Sequence, residues 1–163
     1  MKELLENSNK LNKMESRMKN PAMVLGINSA IQTMMEPIYQ SGISFELLEY
    51  VGLRVGQINN CELCIGEAIR KAKDNPVTRD RIEYVLSWKD LEIFTDSEKT
   101  ALELTEVITK LESKYESVSD ELWLRVEKYF SEKERAALIL FISAMNMFTR
   151  INVATRQLTA DWG

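Results

Sequence analysis

No segment of this chain alternates β-branched with polar residues over a strand's length, and strong helix formers fill nearly every stretch of it. Six glycines and three prolines among 163 residues leave little room for strands, so the expected fold is all-α. Helix starts are written into the sequence. Thr95-x-x-Glu98 and Ser131-x-x-Glu134 have the form of capping boxes, and Asn75-Pro76 offers a cap followed by a first-turn proline. Between these signals the periodicity predicts helices over residues 2–17, 23–40, 44–58, 61–73, 76–86, 96–113, 119–130 and 132–156.

A chain of this length, 45% hydrophobic and 28% charged, can bury roughly two-thirds of its unfolded surface in one core. One domain over 1–163 is expected, with an N-terminal helical extension at about 1–20. Leu48, Val51, Val55 and Ile58 form an apolar stripe at helical spacing. Ala137, Leu140, Ile142, Ala144 and Met145 make the last helix apolar around much of its circumference. Such a helix needs burial, either inside the monomer or against a second copy, so a helix-packed homo-oligomer is expected.

Charge narrows the partners. The net charge of −4 comes from interspersed acids and bases, with no basic stripe to neutralise a run of phosphates, so no nucleic acid is expected. No apolar stretch reads as reaching the roughly 20 residues of a bilayer span, and the opening MKELLENSNKLNK has no apolar leader core. The expectation is a cytoplasmic protein without a membrane partner.

The two cysteines, Cys61 and Cys64, are too few for a disulfide framework and too close for a structural staple, a spacing that suits redox chemistry. Asn59 and Asn60 are good N-cap types, so a helix should begin near Cys61. Unpaired N–H groups and the positive end of the dipole would then favour thiolate there. A cysteine with pKa near 8.5 is about 3% thiolate at pH 7, whereas one lowered to about 7 is half ionised. The plainer alternative is a pair of buried apolar side chains. A zinc site would need two further ligands, and the chain has no histidine and no second cysteine pair, so neither metal nor cofactor is expected.

If the helices flanking Asn59-Asn60 run antiparallel, position 68 lies level with position 51 and neighbours Glu49. Gly52 and Gly56 share Glu49's side and leave room for close helix approach or for a small molecule. Taken alone, Glu49 reads as a solvated glutamate on a charged face. In a crevice its carboxyl would instead have a raised pKa and could carry a proton.

Glu49, Leu53-Arg54-Val55, Gln57-Ile58-Asn59 and Cys61-x-x-Cys64 together resemble the AhpD-like alkylhydroperoxidases of the carboxymuconolactone decarboxylase superfamily. Weaker similar features are Asn20-Pro21, Trp88, Phe94-Thr95, Asn146 and Arg150-Ile-Asn152. The resemblance implies an AhpD-like fold in a trimer or hexamer. It also implies a peroxide or disulfide substrate and a dithiol reductant. By the same resemblance Cys64 would be the peroxidatic nucleophile, Cys61 the resolving thiol and Glu49 the distal base. The family's relay histidine falls on Ala68, a departure that leaves water or Glu67 to bridge the gap, or leaves a weakened or non-catalytic, redox-sensing module. A negative Glu67 beside Cys64 would raise the thiol's pKa.

Overall fold

The structure, a computed structural model, describes residues 15–73, 76–111 and 118–158. Among the described residues there are helices and no strands. In chain order these are α1 (Pro21–Val24), α2 (Asn28–Tyr39), α3 (Phe45–Ile58), α4 (Glu62–Lys73) and α5 (Pro76–Ile82). A 3-10 segment (Glu83–Asp90) follows, then α6 (Asp96–Lys110), α7 (Asp120–Tyr129) and α8 (Glu132–Thr155).

The hydrophobic stripe of α3 explains its place. Tyr50, Val51, Leu53 and Val55 are buried almost completely, and α6, α8 and α4 pack around them. Both capping boxes form. The Thr95 and Ser131 hydroxyls accept from the backbone N–H groups of Glu98 and Glu134, and each glutamate returns a bond to its cap's N–H. Ser44 and Ser119 cap α3 and α7 in the same way, each accepting from an N–H three residues on.

Some boundaries differ from the sequence expectation, for local reasons. The helix expected over 23–40 is broken: Asn20 caps a short α1 with Pro21 in its first turn, and Gly26, at φ +66°, ends it before α2 begins. The helix expected over 76–86 winds tighter after Ile82 and continues as 3-10 to Asp90, with Ser87 out of helical geometry. Leu111, in the left-handed region, stops α6 before residue 113. Most of the extension expected at 1–20, Asn75 and residues 112–113 lie outside the described residues. Residues 15–19 are not helical; there the Arg17 N–H donates to the Thr155 carbonyl, joining this segment to the end of α8.

The last helix corrects the sequence reading on one point. By length and composition α8 is apolar enough to cross a membrane, with mean hydropathy 1.5 over its best 18-residue window. Leu138, Phe141 and Ile142 are buried, and the helix packs against α3 and α6, which marks it as a core helix. Its outer face keeps Leu140 and Val153 half exposed in the single chain.

Candidate active site at the cysteine pair

The turn between α3 and α4 is built differently from its sequence expectation. Asn60 does not cap α4; it takes the left-handed conformation at φ +52° and closes α3. The Cys61 N–H reaches back to the Gly56 carbonyl at 2.9 Å, and that of Asn60 to Gln57 at 3.3 Å. Cys61 itself stands at the N-cap of α4, and its Sγ accepts the Cys64 backbone N–H at 3.3 Å. The Asn59 side chain turns away, donating to Asn146 Oδ1 and Thr149 Oγ1 on α8.

Cys61 and Cys64 are joined in a disulfide, S–S 2.02 Å, with Cα atoms 5.3 Å apart. The two sulfurs are not equivalent. Cys61 is 2% exposed, whereas Cys64 is partly exposed and lines a cavity of about 180 Å³. Glu49, Gly52, Ala68, Lys71, Phe141 and Phe148 share that cavity. Glu49 on α3 and Ala68 on α4 therefore face one space, as the antiparallel reading of the turn expects.

The two glycines of α3 serve different ends. A Cβ at Gly56 would sit 3.3 Å from Cys64 Cβ, so this glycine allows the close approach of α4, while Gly52 faces Phe141 and Met145 at ordinary contact distance. Valine at position 56 would push Cys64 and Ile65 outward. Gly56→Val is expected to lower stability by about 1–3 kcal/mol, the usual range for overpacking, measured as a shift in urea midpoint.

Burial raises the Glu49 carboxyl above the ordinary range, and Lys71 across the cavity partly offsets this. Among the described residues no hydrogen bond or ion pair fixes the Glu49 carboxyl. Tyr39, at the cavity edge, is pushed up by burial and by Glu49's charge. Glu67 is clamped instead: Arg70 donates to both its oxygens, at 2.7 Å to Oε2, and this holds its carboxyl below the ordinary range.

Three features around the site, the Asn152 donor, the polar stripe it belongs to and the Arg54–Glu106 pair, were given no role in the sequence reading, where Arg54, Asn146 and Asn152 figured only among the residues of the resemblance. Asn152 on α8 points its Nδ2 at both sulfurs, 3.3 Å from Cys64 Sγ and 4.0 Å from Cys61 Sγ. It belongs to a polar stripe, Asn146, Thr149 and Asn152, all buried on an otherwise apolar helix. That three-residue spacing of polar side chains was the available signal. Arg54 and Glu106 form the third feature: Glu106 Oε1 accepts from Arg54 at 2.8 Å and from the Trp88 indole at 2.9 Å, fixing α3 to α6 beneath the cysteine turn. Among the described residues no cluster of acidic side chains and cysteines could hold a metal ion.

The chain is thus a helical protein with a Cys-x-x-Cys disulfide at a helix start, and Cys64 opens on a cavity that also holds a carboxylate. The chain belongs to the carboxymuconolactone decarboxylase family, whose model matches residues 27–107. It is 36% identical to the uncharacterized protein YdfG of Bacillus subtilis over 115 residues, 71% of this chain and 77% of that one. Its fold is shared with a protein of unknown function from Agrobacterium tumefaciens, a candidate AhpD antioxidant defence protein. The TM-score is 0.78 at 21% identity, over 88% of this chain and 97% of that one. The debrominase Bmp8, solved with 2,3,4-tribromopyrrole, has the same fold at a TM-score of 0.72 and 16% identity, over 88% of this chain and 79% of that one. One fold therefore houses different chemistries, and the site must carry the functional argument.

Proposed function

We propose that this protein is a thiol peroxidase that reduces small organic hydroperoxides through Cys64, with Cys61 as resolving thiol and Glu49 as proton carrier. The observation that carries the reading is that Cys64, and not the sealed Cys61, shares a cavity with a carboxyl whose pKa is raised by burial. The reactive form of the reduced protein pairs a Cys64 thiolate with a protonated Glu49. Thiolate attack on the terminal peroxide oxygen breaks the O–O bond, forming the Cys64 sulfenic acid, and the leaving alkoxide takes Glu49's proton. Cys61 then attacks the sulfenic sulfur, and its own proton leaves with the hydroxide as water. Two thiols and one hydroperoxide thus become a disulfide, an alcohol and water, with the charge moved from Cys64 to Glu49. An external dithiol reverses the disulfide, and the regained Cys64 proton returns to Glu49.

With alanine at position 68, proton transfer between Glu49 and the sulfur runs through water in the cavity, because Glu67 is held by Arg70. Glu49→Gln is expected to slow hydroperoxide reduction about 10²-fold. It should not weaken the fold at neutral pH. A raised folded pKa adds stability below the ordinary carboxylate value and loses it as pH rises through the folded value, so ionised Glu49 is a cost that glutamine lacks. A variant that is slow because it is unfolded would contradict this.

The thiol assignment is tested by trapping. Cys61→Ser treated with an organic hydroperoxide should accumulate one sulfenic acid on Cys64 that reacts with dimedone, whereas Cys64→Ser should consume no peroxide. Sulfenic acid trapped on Cys61 instead would reverse the roles. The half-exposed Leu140 and Val153 on α8 support assembly with further copies, proposed as a trimer or hexamer and read by light scattering.

A second reading, a redox-sensing module without turnover, is favoured by Ala68. It predicts that one equivalent of peroxide closes the disulfide but that added dithiol gives no continued consumption.

A further inference from the structure

We propose that Asn152 is a catalytic residue: its side-chain amide donates a hydrogen bond that holds Cys64 as a thiolate in the reduced protein. The proposal rests on the peroxidase reading only for the identity of Cys64 as nucleophile. Its ground is geometric. Asn152 reaches the pair from α8, 88 residues along the chain from Cys64, and its Nδ2 stands 3.3 Å from Cys64 Sγ. The side chain is buried, and Oδ1 has no hydrogen-bond partner.

The orientation of the amide follows from chemistry. A disulfide sulfur carries no hydrogen, so only the N–H end of an amide can bond to it, and the carbonyl end must face elsewhere. In this oxidised state the arrangement is a poor one, because a disulfide sulfur is a weak acceptor and the buried carbonyl goes unpaired. Reduction improves the contact at the sulfur: a thiolate at Cys64 turns the weak contact into a charge-assisted hydrogen bond. The proton released by Cys64 passes to Glu49 or to solvent through the cavity.

Asn152 is also held in place. Asn59 at the end of α3 donates to Thr149 and Asn146, about one and two turns back on the same face of α8, so α8 is fixed in register with the cysteine turn. The helix start supplies the backbone part of the field at the sulfurs, and among the described residues Asn152 is the side chain that donates to Cys64.

The test uses the full-length reduced chain with Cys61 replaced by alanine, so that one thiol titrates, and follows the rate of iodoacetamide alkylation against pH. Asn152→Leu should raise the Cys64 pKa by about one unit, moving the alkylation midpoint up by the same amount. Asn152→Asp, equal in size, should raise it further, because a carboxylate repels the thiolate it faces. A role in packing alone predicts no such order, and a pKa that stays within a few tenths of the parent in both folded variants overturns the proposal. Should either variant fail to fold, the parent still decides. The Asn152 side-chain amide resonances should shift with the same midpoint as Cys64 alkylation, and amide signals that stay flat through that midpoint overturn it equally. A low, Asn152-dependent thiol pKa without hydroperoxide reduction would leave this inference standing while the peroxidase reading fell.

Discussion

Histidine introduced at position 68 should raise the rate of hydroperoxide reduction by about 10²-fold, the lower end of what a placed general acid–base contributes. Ala68 lies one turn beyond Cys64 on α4 and lines the same cavity as Glu49, so an imidazole there stands between the carboxyl and the sulfur. Its ordinary pKa near 6.5 suits proton transfer at neutral pH. The gain should appear in kcat/KM, with a new limb in the pH profile near that value. Because the relay ends on Glu49, Glu49→Gln placed on top should remove most of it. An Ala68→His protein that folds, binds substrate and gains nothing would show that proton delivery does not limit the reaction.

Glu106→Ala should cost about 3–5 kcal/mol of stability, the range for breaking a buried pair, measured by urea unfolding. Glu106 is 9% exposed at the side chain and Arg54 13%, so removing the carboxylate leaves the guanidinium, among the described residues, with Gln57 as its remaining side-chain partner. The Trp88 indole loses its acceptor in the same step. Lys89 and Lys110 also reach Glu106 but are about half exposed and return to water. Burial pushes the Glu106 carboxyl up, yet the Trp88 bond and the Arg54 charge outweigh it and hold the pKa below the ordinary value. The stabilisation is therefore present above the ordinary carboxylate value of about 4.3 and is lost as pH falls through the lower folded one. The gap between wild type and variant should narrow in acid. A loss under about 1 kcal/mol at neutral pH, typical of an exposed pair, would contradict this account.

Much of this was legible in the sequence because it depends on local chemistry. Thr95 with Glu98 and Ser131 with Glu134 specify their helix starts through contacts three residues apart, and both form as read. Antiparallel counting from the Asn59-Asn60 turn brings position 68 level with position 51 and next to Glu49, and Glu49 and Ala68 do share a cavity. The roles of the asparagines were not legible, since the same side chain serves as N-cap, as left-handed closure or as long-range donor. Asn60 took the second role and Asn59 the third, leaving Cys61 as the cap. Asn152 and Glu106 act across 88 and 52 residues, on Cys64 and Arg54 respectively, and no spacing rule announces such a contact. The last helix was read as apolar around much of its circumference; folded, its Asn146, Thr149 and Asn152 line up as a buried polar stripe, and the first two hold Asn59 at the cysteine turn.

The most direct measurement is a thiol count and intact mass of the wild-type chain, reduced, desalted and given one equivalent of an organic hydroperoxide. The prediction is that both thiols disappear together, the mass falls by two hydrogens with no added oxygen, and one equivalent of alcohol is released. A folded protein that keeps both thiols while the hydroperoxide persists would contradict the assignment of Cys64 as a peroxide-reducing nucleophile.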